Sequence, residues 1–306
     1  MVRQIGVVLV VVLWLVAILS LLAASFGLGM RREAKLAVNM AEAAQLRAAA
    51  EAAVHYAIFM LTQPDPHLRW RADGSVYALT WGPVETRVQI VDEGGKIDLN
   101  QADETLLKAI LTYLSGDPAR AAGIAAAILD WRDGDRDRHV GGAEADDYRA
   151  AGLSYEPADA PFNSVVEVGL VLGMTPDLTR ALLPLVTVHS GQAGINPNVA
   201  PAEVLLALPG GDPGWVSAFV QARSQLLPGV ATPSLPPLPG VSFHAMTGSA
   251  FGINVEARRQ TAALPMEVVI RPGGPGEVLE YLDWREEPLP RSLFELPEVI
   301  QVEAPG

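Results

Sequence analysis

The chain has 306 residues, half of them apolar, a formal net charge of −13 and no cysteine. That length accommodates two or three modules with a real core. The acidic balance argues against binding a phosphate backbone, and the missing thiols exclude disulfides, Cys-ligated zinc and thiol chemistry. The 24 prolines and 28 glycines concentrate in the second half, which predicts long irregular connections there.

Ile5 to Met30 run without one charged residue, enough to cross about 30 Å of hydrocarbon as a helix. A secretory signal peptide is the alternative, with a small-residue cleavage site at Ala23, Ala24 and Ser25. The run is longer than the usual apolar core of such peptides. From Met30 to Thr62 strong helix formers continue with no Pro or Gly until Pro64 and Pro66. Leu36, Met40, Ala43, Arg47, Ala50, Val54, Ala57 and Leu61 share one face by three-to-four spacing. Span and extension together predict one helix of about 55 residues, with Gly27 and Gly29 as a place to bend. Arg3 on one side of the span and Arg31, Arg32 and Lys35 on the other leave its orientation open.

A short polar leader ending in glycine, then an apolar helix that becomes amphipathic, resembles type IV pilins and the pseudopilins of type II secretion systems. The resemblance implies that a prepilin peptidase cuts after Gly6 and leaves Val7 as the new terminus. Most such subunits carry glutamate at the fifth mature position, where this chain has Val11. The K-type minor pseudopilin is the exception within that family. A carboxylate in the membrane core is costly unless a neighbour's amine pairs with it. A subunit with none above it has no such need.

Two alternating runs, Ser75–Trp81 and Glu85–Glu93, flank Gly82-Pro83 and predict a β-hairpin. Phe251–Gln260, Met266–Pro272 and Glu277–Arg285 read as three further strands. The expected fold class is α+β: a pilin-like long helix packed on an antiparallel sheet, with a large helical insertion. The boundaries expected are 1–6 leader, 7–30 membrane half and 31–62 soluble half of the helix, and 63–94 first sheet segment. A first helical module at 95–190, a second at 191–246, final strands at 247–287 and a tail at 288–306 complete the chain.

Inside the insertion, "ADETLLKAILTYL", "PARAAGIAAAILDWR", "FNSVVEVGLVLG", "TPDLTRALLPLVTV" and "APAEVLLAL" each carry three-to-four spaced apolar residues behind a helix-start residue. One phrase occurs twice at a constant offset. Ile97, Asn100, Ala102, Leu107 and Ala109 match Ile195, Asn198, Ala200, Leu205 and Ala207. This suits one small module used twice, with Ile in the core and Asn100 or Asn198 bonding neighbouring backbone in a tight turn. The pattern resembles helix-hairpin-helix or SAM-like modules, with hairpin turns at Ala207–Gly211 and Val171–Pro176. Such modules often bind DNA, so a membrane-anchored DNA receptor is the alternative function. Lys96 and Lys108 would be its cations. A protein-binding scaffold fits the acidic surroundings better.

Between Asp130 and Asp147 stand seven carboxylates: Asp130, Asp133, Asp135, Asp137, Glu144, Asp146 and Asp147. Hard oxygen ligands on a flexible loop suit Ca²⁺. A solvated acidic loop, partly neutralised by Arg132, Arg136 and Arg138, is the plainer reading. The later bytes of an EF-hand pattern, Gly and Glu at fixed offsets, do not follow.

"GKIDLN", "ILDWRDGD", "GGAEADDYRAAGLSYEPADAPFNSVVEVGLVLGM" and "GINPNVAPAEVLLALPG" come in the order seen in K-type minor pseudopilins, and this resemblance covers the chain from the leader to Trp284. It implies a single-pass bacterial inner-membrane protein with a periplasmic domain. It implies partnership with I- and J-type minor pseudopilins at the tip of a pseudopilus and with the inner-membrane assembly platform. It also implies calcium, with Asp133, Asp135, Glu144 and Asp147 as the ligands carried over by position. No enzyme signature occurs in the sequence. His139, beside the acidic loop, is the one histidine of interest as a ligand. Trp131 and Trp284 are expected in the core, and Pro228–Gly240 reads as a connector.

Overall fold

The computed structural model describes residues 3–302 except 227–229, 231–234, 236–237, 239, 245–247 and 274–277, with the side chains of 3–7 and 27–28 also outside the described residues. Its first element is one unbroken helix, α1, Arg3–Leu61, roughly 90 Å long at 1.5 Å per residue. It runs through Gly27 and Gly29, since two glycines cost only about 1 kcal/mol each among strong helix formers. Leu46, Ala49, Ala50, Ala53, Val54, Ala57 and Leu61 are buried. The small alanines let the sheet approach the helix closely. The expected stripe fails at its start: Leu36, Met40 and Ala43 are exposed. Arg47 points outward to Glu286 at 2.6 Å. The sheet reaches only to Leu46, so earlier apolar positions have no surface to cover in this chain.

The sheet contains β1 (Asp73–Trp81), β2 (Val84–Asp92), β5 (Phe251–Arg259), β6 (Ala262–Arg271), β7 (Glu280–Arg285) and β8 (Ile300–Gln301), in the order β7-β6-β5-β2-β1-β8. Neighbours are antiparallel except β8, which lies parallel to β1. The expected hairpin is β1–β2. Strand β6 starts earlier than expected and passes through Pro265, which sits opposite Glu256 in extended backbone. β7 begins at Glu280, and Glu277 lies outside the described residues. β8 gave no sequence signal, being two residues long.

The insertion is spliced between two paired strands. β2 and β5 face each other from Glu85/Arg258 to Asp92/Phe251, and everything from Glu93 to Ala250 leaves and returns at that one end. It holds β3 (Ile97–Asp98), α2 (Glu104–Ser115), α3 (Pro118–Arg132), α4 (Ala145–Ala150), α5 (Pro176–Leu182), β4 (Val186–Thr187), α6 (Ala202–Ala207) and α7 (Pro213–Ser224). β3 and β4 pair in parallel. The stretch 165–170 is a 3₁₀ helix rather than an α-helix, capped by Ser164 and Glu167 and closely followed by Gly173 at φ 91°. Pro184 ends α5 early and diverts the chain through a short 3₁₀ turn into β4. α4 and α7 had no counterpart in the sequence reading.

Two apolar clusters result. One joins α1 to the sheet; the other fills the insertion and contains residues from both copies of the repeated phrase. Neither uses a residue before Leu46, so a chain beginning at Arg31 keeps both cores whole.

The repeat has a specific construction. Ile97 and Ile195, Ala102 and Ala200, and Leu107 and Leu205 are all buried. In both copies the residue two positions before the repeated asparagine closes a tight turn. Asp98 accepts from Asn100 N–H at 2.8 Å, and Asn196 accepts from Asn198 N–H at 3.0 Å. An Asx side chain bonding backbone two residues on is the economical way to close such a turn. Asn100 instead reaches across to Phe162, donating to its carbonyl and accepting from its N–H.

Each turn is clamped by an arginine. Arg132 donates to the carbonyls of Leu99 and Ala102 at 2.5 and 2.8 Å. Arg223 donates to those of Pro197 and Ala200, both at 2.6 Å. These carbonyls are equivalent positions of the repeat. Arg132 closes α3 and Arg223 lies near the end of α7. Each helix opens on an Asp-Pro pair whose aspartate caps it, Asp117 and Asp212. The duplicated unit is therefore turn, helix, hairpin and second helix.

The insertion is fixed to the sheet by buried charge. Asp92 accepts from Gly94 and Gly248, and Glu93 pairs with Lys96 at 2.7 Å with both side chains almost fully covered. A Cβ on Gly95 would lie 2.6 Å from the Val199 carbonyl, so only glycine lets the second repeat seat there. Arg71, held by Asp73, donates to the carbonyls of Arg223, Ser224 and Leu226 at the end of α7.

Replacing Arg223 by Ala leaves two buried carbonyls unpaired, so the unfolding free energy of residues 31–306 should fall by about 2–3 kcal/mol in urea titration. Burial pushes the Asp92 carboxyl up to about 6 from 3.8. The folded state then binds more protons than the unfolded chain between those values, and this group's contribution to stability declines as pH rises through that window. The stability of Asp92→Asn relative to the parent should accordingly grow between pH 4 and pH 7, by up to about 3 kcal/mol.

Candidate assembly surfaces and cation site

Three features of the molecule offer chemistry beyond its own folding. The first is the free half of α1. Its large apolar side chains from Val8 to Phe26 are exposed, as are Met30, Leu36 and Met40. The helix is long and apolar enough to cross a membrane. Val11, at the position where pilin-like subunits carry glutamate, is one of these exposed residues. The backbone of Gly6 and Val7 is helical, and their side chains lie outside the described residues.

The second is the placement of the insertion. Trp70 donates to the Met60 carbonyl at the last turn of α1, and Asp92 donates to Ala72. The splice point and the Arg71 contacts to α7 thus sit at the end of α1 farthest from its exposed apolar half. The insertion stands beyond that end, as a head on a stalk.

The third is the acidic loop. Asp130 is fully buried at the end of α3 and organises it. It accepts from the backbone of His139 and Ala143, at 2.9 and 2.6 Å, and contacts His139 Nδ1 at 2.5 Å. A Cβ on Gly142 would collide with Asp130 Oδ2, which explains the glycine. The bond to Asp130 raises the His139 pKa, and the imidazole is thereby engaged as a partner of that carboxylate. Asp130, Asp133 and His139 bring their ligand atoms within 4.8 Å of one another.

Glu144 caps α4 and faces Asp130, Asp159, Asp133 and Asp135. Burial first, and then these like charges, raise its pKa. Burial and Asp135 act in the same direction on Asp133. Among the described residues, Asp133 Oδ1 and Glu144 Oε1 are buried without a hydrogen-bond partner. Unpaired buried carboxylate oxygens among like charges are unfavourable unless a cation joins them. Of the four expected ligands, Asp133 and Asp135 both act on Glu144 as like charges, while Asp133 is the one whose ligand atom lies in the close group with Asp130 and His139. Asp147 is used otherwise: it accepts from Glu144 N–H at 3.0 Å and from Arg138 at 2.9 Å. Asp159 was missed in the sequence. It has a left-handed φ of 47°, which aspartate tolerates better than most residues. Its position between Pro157 and Pro161 was the available signal.

Other expectations are corrected here. Trp131 is buried, but Trp284 is 39% exposed on β7, which among the described residues has no neighbour on one side. Lys96 cannot serve a DNA phosphate, since it is buried in its pair with Glu93.

Comparison with known proteins agrees with this architecture. Residues 88–191 match the family described as type II secretion system (T2SS), protein K. That match spans about a third of the chain. A type II secretion system protein K of Pectobacterium carotovorum subsp. carotovorum is 32% identical over 127 residues, 40% of this chain and 39% of that one. The one from Pseudomonas aeruginosa is 30% identical over 151 residues, 46% of this chain and 45% of its own. The chain thus matches less than half the length of these protein K relatives. A chain in the crystal structure of the GspK-GspI-GspJ complex from enterotoxigenic Escherichia coli aligns with a TM-score of 0.57 and 18% identity. The alignment covers 84% of this chain and 99% of that one. The α+β fold with its helical insertion is therefore shared with a chain of that complex.

Proposed function

We propose that this protein is a minor pseudopilin of the type II secretion system that joins I- and J-type minor pseudopilins at the tip of a periplasmic pseudopilus, where it starts or caps the filament and supports protein export. The observation that carries this reading is the position of the insertion beyond the far end of α1. A subunit stacked there would meet the insertion instead of a free helix end. The mechanism is packing. The exposed apolar half of α1 associates with other helices in the inner membrane, while the locked junction holds the head in one orientation. Cleavage after Gly6 by a prepilin peptidase, with Val7 as the mature terminus, belongs to the same proposal. The match to protein K over residues 88–191 and the fold shared with a chain of the GspK-GspI-GspJ complex support it.

The acidic loop is proposed as a calcium site formed by Asp133, Asp135, Glu144 and Asp159, with Asp147 holding the Glu144 backbone. The support is the pair of orphaned carboxylate oxygens. Calcium supplies positive charge where these carboxylates repel one another and fixes the loop between α3 and α4.

Residues 31–306, mixed with the soluble domains of I- and J-type partners from the same organism, should elute as one ternary complex. Three separate peaks at micromolar concentration would overturn the assembly reading. Millimolar Ca²⁺ should raise the melting temperature of residues 31–306, as expected when a ligand binds the folded state alone. Asp135→Asn with Glu144→Gln should abolish the rise. An unchanged melting curve in the parent protein returns the loop to a solvated acidic segment.

A further inference from the structure

The outer side of β1 is covered at Tyr77 and Ala78 by the chain's own β8. β1 has nine residues, and its Val76, Tyr77 and Leu79 are buried. It contains no proline, and edges of this kind pair readily with other strands. After β7, the chain crosses the face of the sheet opposite α1 and ends as β8 against Tyr77 and Ala78. Val302 adds a bond to the Ala78 carbonyl at 3.0 Å.

The crossing is built with care, whereas its end point buries little. Buried Glu256 accepts from Ser292 Oγ and from Leu293 N–H, both at 2.8 Å. Arg87 donates to the carbonyls of Leu293 and Leu296. Arg87 and Arg258 flank the Phe294 ring, 4.6 and 3.9 Å from its centroid. Ile300 is 45% exposed and Gln301 is exposed, so β8 itself contributes little to a core, while Val302 after it packs against the α1–sheet cluster. What β8 does is cover backbone at an edge. Among the described residues the opposite edge carries no such cover: β7 has no second neighbour in the sheet, and Tyr281 and Trp284 are exposed along it. Every copy thus offers a bare β7 edge that complements an uncovered β1 edge.

We propose that residues 286–302 form an autoinhibitory strap, anchored at Leu293 and Phe294, in which β8 blocks pairing of the β1 edge with the β7 edge of a second copy. This inference does not depend on the assembly role. Because the pairing joins two different edges, it would propagate head to tail rather than close as a dimer.

Residues 31–297 retain the anchor and lack β8. By sedimentation this chain should shift from monomer to dimers and larger species, with the amides of β1 protected from hydrogen exchange in the associated form. Trp284→Lys on β7 should return it to monomer. Val302→Pro in residues 31–306 removes the donor to Ala78 together with the Val302 side-chain packing and should produce the same shift in weaker form. A folded 31–297 chain that stays monomeric at high concentration would overturn the proposal. So would association that Trp284→Lys leaves unchanged.

Discussion

Everything distinctive about this molecule depends on one backbone constraint: the pairing of Asp92 with Phe251. Two neighbouring antiparallel strands are ordinarily joined by a tight turn, and here the turn is replaced by a whole helical domain. Because both connections to that domain leave the sheet at this one pair of residues, it could swivel unless something else held it. The fold supplies the restraint with charge placed where water does not reach. Glu93 and Lys96 neutralise each other in the neck, Asp92 ties down Gly94 and Gly248, and Arg71 grips the end of α7 from the sheet side. A buried pair of this kind adds little net stability over apolar packing, but breaking one half of it is costly. That asymmetry favours one orientation over many, which is what a rigid head requires.

The same economy appears in the repeat. Two unrelated ways of holding a turn, an Asx side chain from within and an arginine from the second helix, occur together in both copies. Neither depends on the identity of the surface residues. The acidic loop is the place where the two copies differ most: the first module ends in it directly after Arg132, whereas Arg223 of the second lies at the sheet, under Arg71. One duplicated frame thus carries a cluster of carboxylates at one end and a structural latch at the other.

Much of this was legible in the sequence wherever periodicity was long. The 59-residue helix, the hairpin, the three later strands and α2, α3 and α6 all announced themselves through spacing and caps. Short elements did not. β3, β4 and β8 are two residues each, and their existence is decided by partners distant in the chain. α4 was hidden by its acidity, because Asp146 and Asp147 read as loop ligands although acidic residues also favour a first helical turn. The burial of Lys96 and the exposure of Trp284 were illegible for the same reason. Each is set by the neighbour that tertiary structure supplies or withholds. At the acidic loop, composition revealed that carboxylates gather, and only the fold could show that Asp147 is engaged elsewhere and Asp159 comes near.

The paired arginine clamps have a consequence for how such a domain can change over time. Arg132 lies fifteen residues past its cap Asp117, and Arg223 eleven past Asp212. The difference of four is close to one helical turn, so both guanidinium groups still point at equivalent carbonyls although one helix is shorter. A deletion of one or two residues would rotate the arginine off its target by about 100° or 200°. Length in these helices is therefore quantised: the second helix of each module can grow or shrink by near-whole turns, reaching farther or less far into its surroundings, while the lock at its base is inherited intact.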